Sequence, residues 1–423
     1  SCHQKPAEET GNSKQLSRLA EDYVRLGLRI GAYDPVFVDA YYGPDSLKPK
    51  AVKVAAFPKD SFLNAINNLS ARLQALAAKE NNDTLRLRSA WMQSQLTAFG
   101  RRVKIFAGEY ASFDEESKEL FGVQAPSYPE SHYQSLVKQL DSLLPGKGSG
   151  IARFQALANR FIIPKNKLDT VFKTAIAECR ARTLKHYQLP VGERFQLEFV
   201  TDKSWSGYNW YKGNYSSLIQ INTDLPIYIE RAIDVGSHES YPGHHVYNML
   251  LEKNLYHDKG WTEVSLYPLF SPQSLIAEGS ANFGIDVVFP GNEKTRYARE
   301  ILLPLAGLDT TGIDLYFKAL AIKGQLAYAR NEAARGLLNG TMSEKEVMRW
   351  LMDYGLSNEE SAAKSISFIK ANRTYVINYN YGMDLVKKYI EAKGGTEAAP
   401  QKRWELFGWL LSNEVRPQDL LKP

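Results

Sequence analysis

The sequence predicts a mainly α protein with a small β-sheet inserted just ahead of a histidine-bearing helix. Three observations lead there. Apolar residues recur at three- and four-residue spacing through most of the chain. Period-two alternation is confined to a short central region. Three of the seven histidines fall within one eight-residue segment, while His3, His132, His186 and His257 stand singly.

Taken in order, residues 1–14 read as a flexible tether, because His3 to Ser13 is polar and poor in apolar side chains. Ser1-Cys2 followed by such a tail resembles a bacterial lipoprotein trimmed near its lipidated cysteine. A lipid on Cys2 would be the sole membrane contact, with a location in the cell envelope (periplasm or outer membrane). Residues 15–188 form an N-terminal helical region. Leu16, Leu19, Tyr23 and Leu26 share one helix face, as do Phe62, Ile66, Leu69, Leu73 and Leu76, then Tyr133, Leu136, Leu140 and Leu143. Pro145-Gly146 and Gly148 to Gly150 interrupt the pattern, and helices follow at about Ile151 to Ile163 and Asn166 to Tyr187. Short breaks between amphipathic stretches imply antiparallel bundle packing.

Residues 189–423 change character. Glu193 to Thr201 alternates as a strand does, and Ser216 to Asn222 reads as a second strand after an aromatic stretch, Trp205 to Tyr215. Asp224 and Pro226 predict the cap and first turn of the histidine helix. Beyond Gly312 the chain is helical again. Ser343/Glu346 and Ser357/Glu360 fit capping boxes, with Gly355 stopping the first of these helices. Cys179 lies in a helical pattern as a buried small hydrophobe.

Composition narrows the function classes. Of 423 residues, 44% are hydrophobic and 23% charged, as in ordinary folded domains. The net charge of +5 is spread over 52 basic and 47 acidic residues with no basic block, so nucleic acid is not an expected partner. No apolar run is long enough for a spanning helix. A monomer acting on a peptide is the expectation.

The chemistry concentrates in His238-Glu239-Ser240-Tyr241-Pro242-Gly243-His244-His245. Two imidazoles beside a glutamate supply neutral nitrogen ligands for zinc and a carboxylate base for a metal-activated water. Spacing poses a problem. On a regular helix His238 and His244 would point about 120° apart, and His245 would lie about 10 Å along the axis. Pro242 cannot donate to the carbonyl of residue 238 and crowds it, and Gly243 admits backbone angles others avoid. A bulge absorbing two residues would return His244 to the side of His238. His245 is the substitute ligand if His244 points away, and otherwise sits behind the site or against substrate. The third ligand is Glu278, in a segment whose Ala277, Gly279, Ala281 and Gly284 allow close helix approach. Glu239 is then the general base.

The segment H-E-S-Y-P-G-H-H followed by E-G-S-A-N-F-G resembles the bacterial domain-of-unknown-function 885 family, which carries HExxPGH and a downstream EG(W/S)A. Gly340-Thr341-Met342-Ser343, Tyr354-Gly355-Leu356-Ser357, Arg373-Thr374-Tyr375 and Tyr379-Asn380-Tyr381-Gly382 resemble its C-terminal part. The likeness covers roughly the second half, and Arg373 and its neighbours replace the family's proline-glycine before the closing tyrosine. The family is grouped with zincin-type metallopeptidases of the glutamate-ligand class. It implies a zincin-like fold, His238, His244 and Glu278 as zinc ligands, and Glu239 as base.

Arg373, Tyr375, Tyr379 and Tyr381 form a polar-aromatic cluster suited to holding a peptide carboxylate or an oxyanion, with Tyr379 as the catalytic donor and Arg373 and Tyr375 on substrate. The strand Ser216 to Asn222 is expected to line the substrate as an edge strand. The Asp39-to-Pro44 turn is distinctive but offers no chemistry of its own. The reading is a zinc-dependent hydrolase of the zincin type acting on short or extended peptides. Its rivals are a catalytically silent peptide- or glycan-binding lipoprotein and a hydrolase of a non-peptide bond.

Overall fold

The computed structural model describes residues 10–50 and 56–422. Cys2 and most of the expected tether lie outside them. The chain is 66% helical with little sheet, the mainly α class expected.

The first helix already runs from Gly11 to Gly31, with the Thr10 hydroxyl capping Ser13 N–H, so residues 11–14 are helical rather than tether. It buries Leu16, Leu19, Tyr23, Val24, Leu26 and Ile30 against the helices Lys59–Ala78 and Asp83–Phe106. Tyr23 stacks on Phe99 with ring centroids 5.2 Å apart. These three helices enclose a core of their own. The helices from Phe113–Phe121 to Leu168–Leu184 bury their apolar faces in the core of the second half instead. Packing therefore does not follow a boundary at residue 188. Cys179 sits in this larger core, where burial pushes its thiol up to about 12.

Five strands occur among the described residues: β1 Val38–Tyr41, β2 Arg194–Val200, β3 Gly207–Gly213, β4 Ser216–Asn222 and β5 Leu266–Pro268. β1 pairs antiparallel with β5. The other three form one sheet in the order β2-β4-β3, with β2 parallel and β3 antiparallel to β4. The expected substrate strand, β4, is thus central: both its edges are consumed by neighbours. The edge nearer the histidine helix is β3, whose alternation is masked by aromatic residues on both faces.

Ser343 caps the helix Glu344–Asp353 through Glu346 N–H at 3.2 Å, as its spacing predicts. The next helix starts one residue later than predicted, because Asn358 rather than Ser357 is its cap. Buried ion pairs tie distant segments together. Arg88 meets Glu263 at 2.8 Å, Arg102 meets Asp34 at 2.7 Å, and Arg373 meets Glu116 at 2.8 Å. No described helix is long and apolar enough to cross a membrane.

Candidate metal centre

The motif helix, Ile229–Glu239, buries Ile229, Ala232, Ile233 and Gly236, while Arg231, Asp234 and Val235 face a cavity. It begins later than Asp224 and Pro226 predicted. Ile229 N–H bonds the Phe161 carbonyl at 2.8 Å, and Asp224 is engaged by Lys364 at 2.7 Å and by Asp202 N–H.

No bulge forms at Pro242. Ser240 N–H closes the last turn on the Gly236 carbonyl at 3.0 Å, the chain leaves helical geometry through a cis Tyr241–Pro242 peptide, and a new helix runs from His244 to Leu251. The new helix has its own rotation, so the 100° rule no longer relates His244 to His238. Asn209 holds the break by donating to the Glu239 carbonyl at 3.0 Å.

The result is a tight triangle. His238 Nε2 and His244 Nε2 lie 3.0 Å apart, His238 Nε2 is 3.1 Å from Glu278 Oε2, and His244 Nε2 is 2.9 Å from Glu278 Oε1. Four-coordinate zinc with bonds near 2.05 Å would need edges of about 3.3 Å, so a few tenths of relaxation admit the ion. Two neutral nitrogens and one carboxylate oxygen suit zinc. The donor set fits.

Glu278 projects from the helix Pro272–Val288. Its small residues act differently from the expectation of closeness to the motif helix alone. Gly279 lies against the backbone of Gly382 on the closing helix Ile377–Ala392, where a Cβ would meet the Gly382 carbonyl carbon at 2.4 Å. Gly284 faces Pro242. Burial alone would raise the Glu278 carboxyl, but His244 and His238 overcome it and hold the group far below the usual carboxylate range. Burial likewise opposes a charge on His244, yet Glu278, Glu239 and Asp39 lift it to about 9.

Orientation comes from two further contacts. His238 Nδ1 faces Asn282 Oδ1 at 2.7 Å, and Asn282 in turn donates to the Tyr379 carbonyl at 2.7 Å. Tyr375 donates to Glu278 Oε1 at 3.2 Å. Asn282 sits one turn after Glu278 on the same face, a signal available in the sequence.

Glu239 Oε1 is 3.7 Å from His238 Nε2 and 3.9 Å from His244 Nε2. Its Oε2 is buried and has no hydrogen-bond partner. Burial raises its pKa, with His238 and His244 opposing. The Tyr379 ring lies beside His238, centroids 6.3 Å apart. Asp39 of β1 accepts a hydrogen bond from Tyr208 of β3, and burial pushes its carboxyl up to about 7 despite that bond and the nearby His244. No local signal marks Asp39, since the fold alone brings β1 here.

Two expected substrate contacts fall elsewhere. The His245 ring is fully buried between Ser217 Oγ at 2.7 Å and Glu193 at 2.9 Å, so substrate has no access to it. Arg373 is held through Nε and Nη2 in a two-point pair with buried Glu116 and lies over the Tyr110 ring, so the edge that would clamp a substrate carboxylate is already engaged.

No protein-family model matches the chain, and no curated protein matches it in sequence. Solved structures align with it to differing extents. A protein assigned as a lipoprotein from Colwellia psychrerythraea aligns with TM-score 0.54 and 15% identity over 85% of this chain, which spans 65% of that protein's length. An M32 carboxypeptidase from Deinococcus radiodurans aligns at TM-score 0.48 and 12% identity, covering 98% of this chain and 95% of its own. Metallocarboxypeptidase 1 of Trypanosoma cruzi aligns at TM-score 0.36 and 12% identity, covering 97% and 95%. The first of these likenesses shows a common fold.

Proposed function

We propose that this protein is a zinc-dependent metallopeptidase related to the domain-of-unknown-function 885 family, cleaving short or extended peptides. The observation that carries the reading is Glu239. A buried carboxylate with one oxygen unpartnered is costly, and a protein that only bound ligands would gain nothing from keeping it beside two imidazoles and Glu278. Its place beside both imidazoles and Glu278 is that of a general base for water.

Zinc held by His238, His244 and Glu278 would supply a Lewis acid and make a water acidic enough to lose its proton near neutral pH. Glu239, whose Oε2 has no protein partner, is placed to take a proton from the attacking water and would deliver it to the leaving amine as the C–N bond breaks. Tyr375 holds Glu278 in place, and Tyr379 donates to the developing oxyanion. Asn282 fixes the His238 ring. The extended substrate lies by β3, the edge strand that borders Glu239. A cell-envelope location is in keeping with the fold neighbour assigned as a lipoprotein.

Metal analysis of protein never exposed to chelator, with a peptide-library digest by wild type and Glu239→Gln, tests the reading. The expected result is one zinc per chain in both, with turnover in the variant down about 10²–10⁴-fold. Metal-free protein, or a variant that cleaves as fast as wild type, would overturn it.

A further inference from the structure

A cavity of about 1590 Å³ runs along the outer face of the motif helix, from Arg231 past Val235 to Asn282, the partner of His238. Arg231 lies two turns before His238, on nearly the same face. Lys323, from the helix Ile313–Leu326, lines the same cavity with its ammonium 5.2 Å above the Phe154 ring.

These two cations differ from the other interior ones. Arg88, Arg102, Arg373 and Arg403 each grip a carboxylate, whereas no described carboxylate forms an ion pair with Arg231 or Lys323. Arg330, also without an acid, packs on Phe368 instead of lining the cavity. Among the acids of the cavity wall, Arg299 holds Asp314 and Tyr328 donates to Asp384, whereas Lys294 stands only 4.0 Å from Asp234 and 3.9 Å from Asp286, and Asp234 Oδ1 has no hydrogen-bond partner. Glu230, the acid nearest in sequence, accepts from Tyr316 at 2.8 Å, and burial pushes it up to about 7, so it is a weak counter-charge. Burial lowers the Lys323 pKa, Glu230 opposes that and Arg231 adds to it, so an anion seated between the two basic groups would restore the charge on Lys323. Two basic groups that line one cavity, neither in an ion pair, make a site suited to an anion.

We propose that Arg231 and Lys323 bind the C-terminal carboxylate of a peptide whose chain runs up the motif helix to the His238–His244–Glu278 group. This rests on the metallopeptidase reading. Two helical turns span about 10 Å and an extended residue about 3.3 Å, so hydrolysis releases C-terminal fragments of roughly two or three residues. Water is consumed at that bond, leaving a new C-terminal carboxylate and the free amine of the fragment.

Binding is measured first, by calorimetry on Glu239→Gln protein, with a hexapeptide free acid and its C-terminal amide. The free acid is expected to bind at least about 10-fold more tightly, with the preference lost in added Arg231→Gln or Lys323→Met and partly kept in Arg231→Lys. Equal binding of acid and amide would overturn the anchor, as would a preference untouched by these substitutions. Mass spectrometry of wild-type digests then reads the spacing. Dipeptide or tripeptide release supports it, whereas single amino acids or cleavage indifferent to the terminus would overturn it. A failure of the metallopeptidase reading looks different: the binding preference persists while no peptide is cleaved.

Discussion

Gly243 rides directly on the last turn of the motif helix, so that a Cβ placed on it would lie 1.9 Å from the His238 carbonyl oxygen. It would also lie 2.4 Å from that of Ser237. No rotamer change relieves a clash with backbone.

Gly243→Ala must therefore push the new helix away from the old one, and His244 moves with it. The expected cost is about 1–3 kcal/mol of stability. Zinc affinity should fall at least about 10-fold, as when ligand orientation is lost. Competition against a chromogenic chelator reads the second effect. Gly324→Ala is the control, because a Cβ there meets nothing within 4 Å. Equal zinc affinity in Gly243→Ala and wild type would refute the account of the break.

Asn282 offers a milder test of the same centre. Asn282→Leu removes the acceptor at His238 Nδ1 and the donor to the Tyr379 carbonyl, while keeping the volume. Zinc affinity should drop about 10–100-fold with the fold intact. A circular-dichroism melt beside the chelator titration separates loss of metal from loss of structure. An unchanged affinity would mean that the ring is oriented by packing alone.

The donor set was legible in the sequence because His238, Glu239 and His244 lie in one segment and Glu278 lies on a helix of small residues. The path between the histidines was not. Pro242 shows that a helix cannot continue normally, but whether it bulges or ends depends on Asn209 and Gly284, which arrive from other elements. The start of the motif helix was misread for a like reason. Asp224 and Pro226 have the chemistry of a helix start, yet Lys364, remote in sequence, takes the Asp224 carboxylate. β4 went from edge to centre because Tyr208, Trp210 and Tyr211 hide the alternation of β3.

Arg373 is the clearest case of composition pointing the wrong way. An arginine among tyrosines looks like a carboxylate clamp, but its Nε–Nη2 edge already clamps Glu116, which is fully buried. Arg373→Met should leave the KM for peptide substrates unchanged and destabilise the fold by about 3–5 kcal/mol, because it strands a buried carboxylate. Adding Glu116→Leu should return part of that loss. A raised KM without loss of stability would restore Arg373 to the substrate site.

Glu230 sets the last prediction, on pH. Burial, aided by Asp234, pushes its carboxyl up from the ordinary value to about 7, against the opposing hydrogen bond from Tyr316. The native state thus holds a proton that the unfolded chain gives up near pH 4.5. Below that value both states are protonated and no penalty arises. As pH rises towards 7 the unfolded state alone ionises, so stability falls by up to about 1.4 kcal/mol per unit, and above 7 the loss is complete. Glu230→Gln has nothing to ionise and keeps an acceptor for Tyr316. Its stability should match wild type at pH 4 and exceed it by about 2–3 kcal/mol at pH 8, with the gap opening between those limits. Urea denaturation of both proteins across that range reads the difference. A gap independent of pH would mean that Glu230 is charged in the folded state, and it would then be a counter-ion for Arg231 after all.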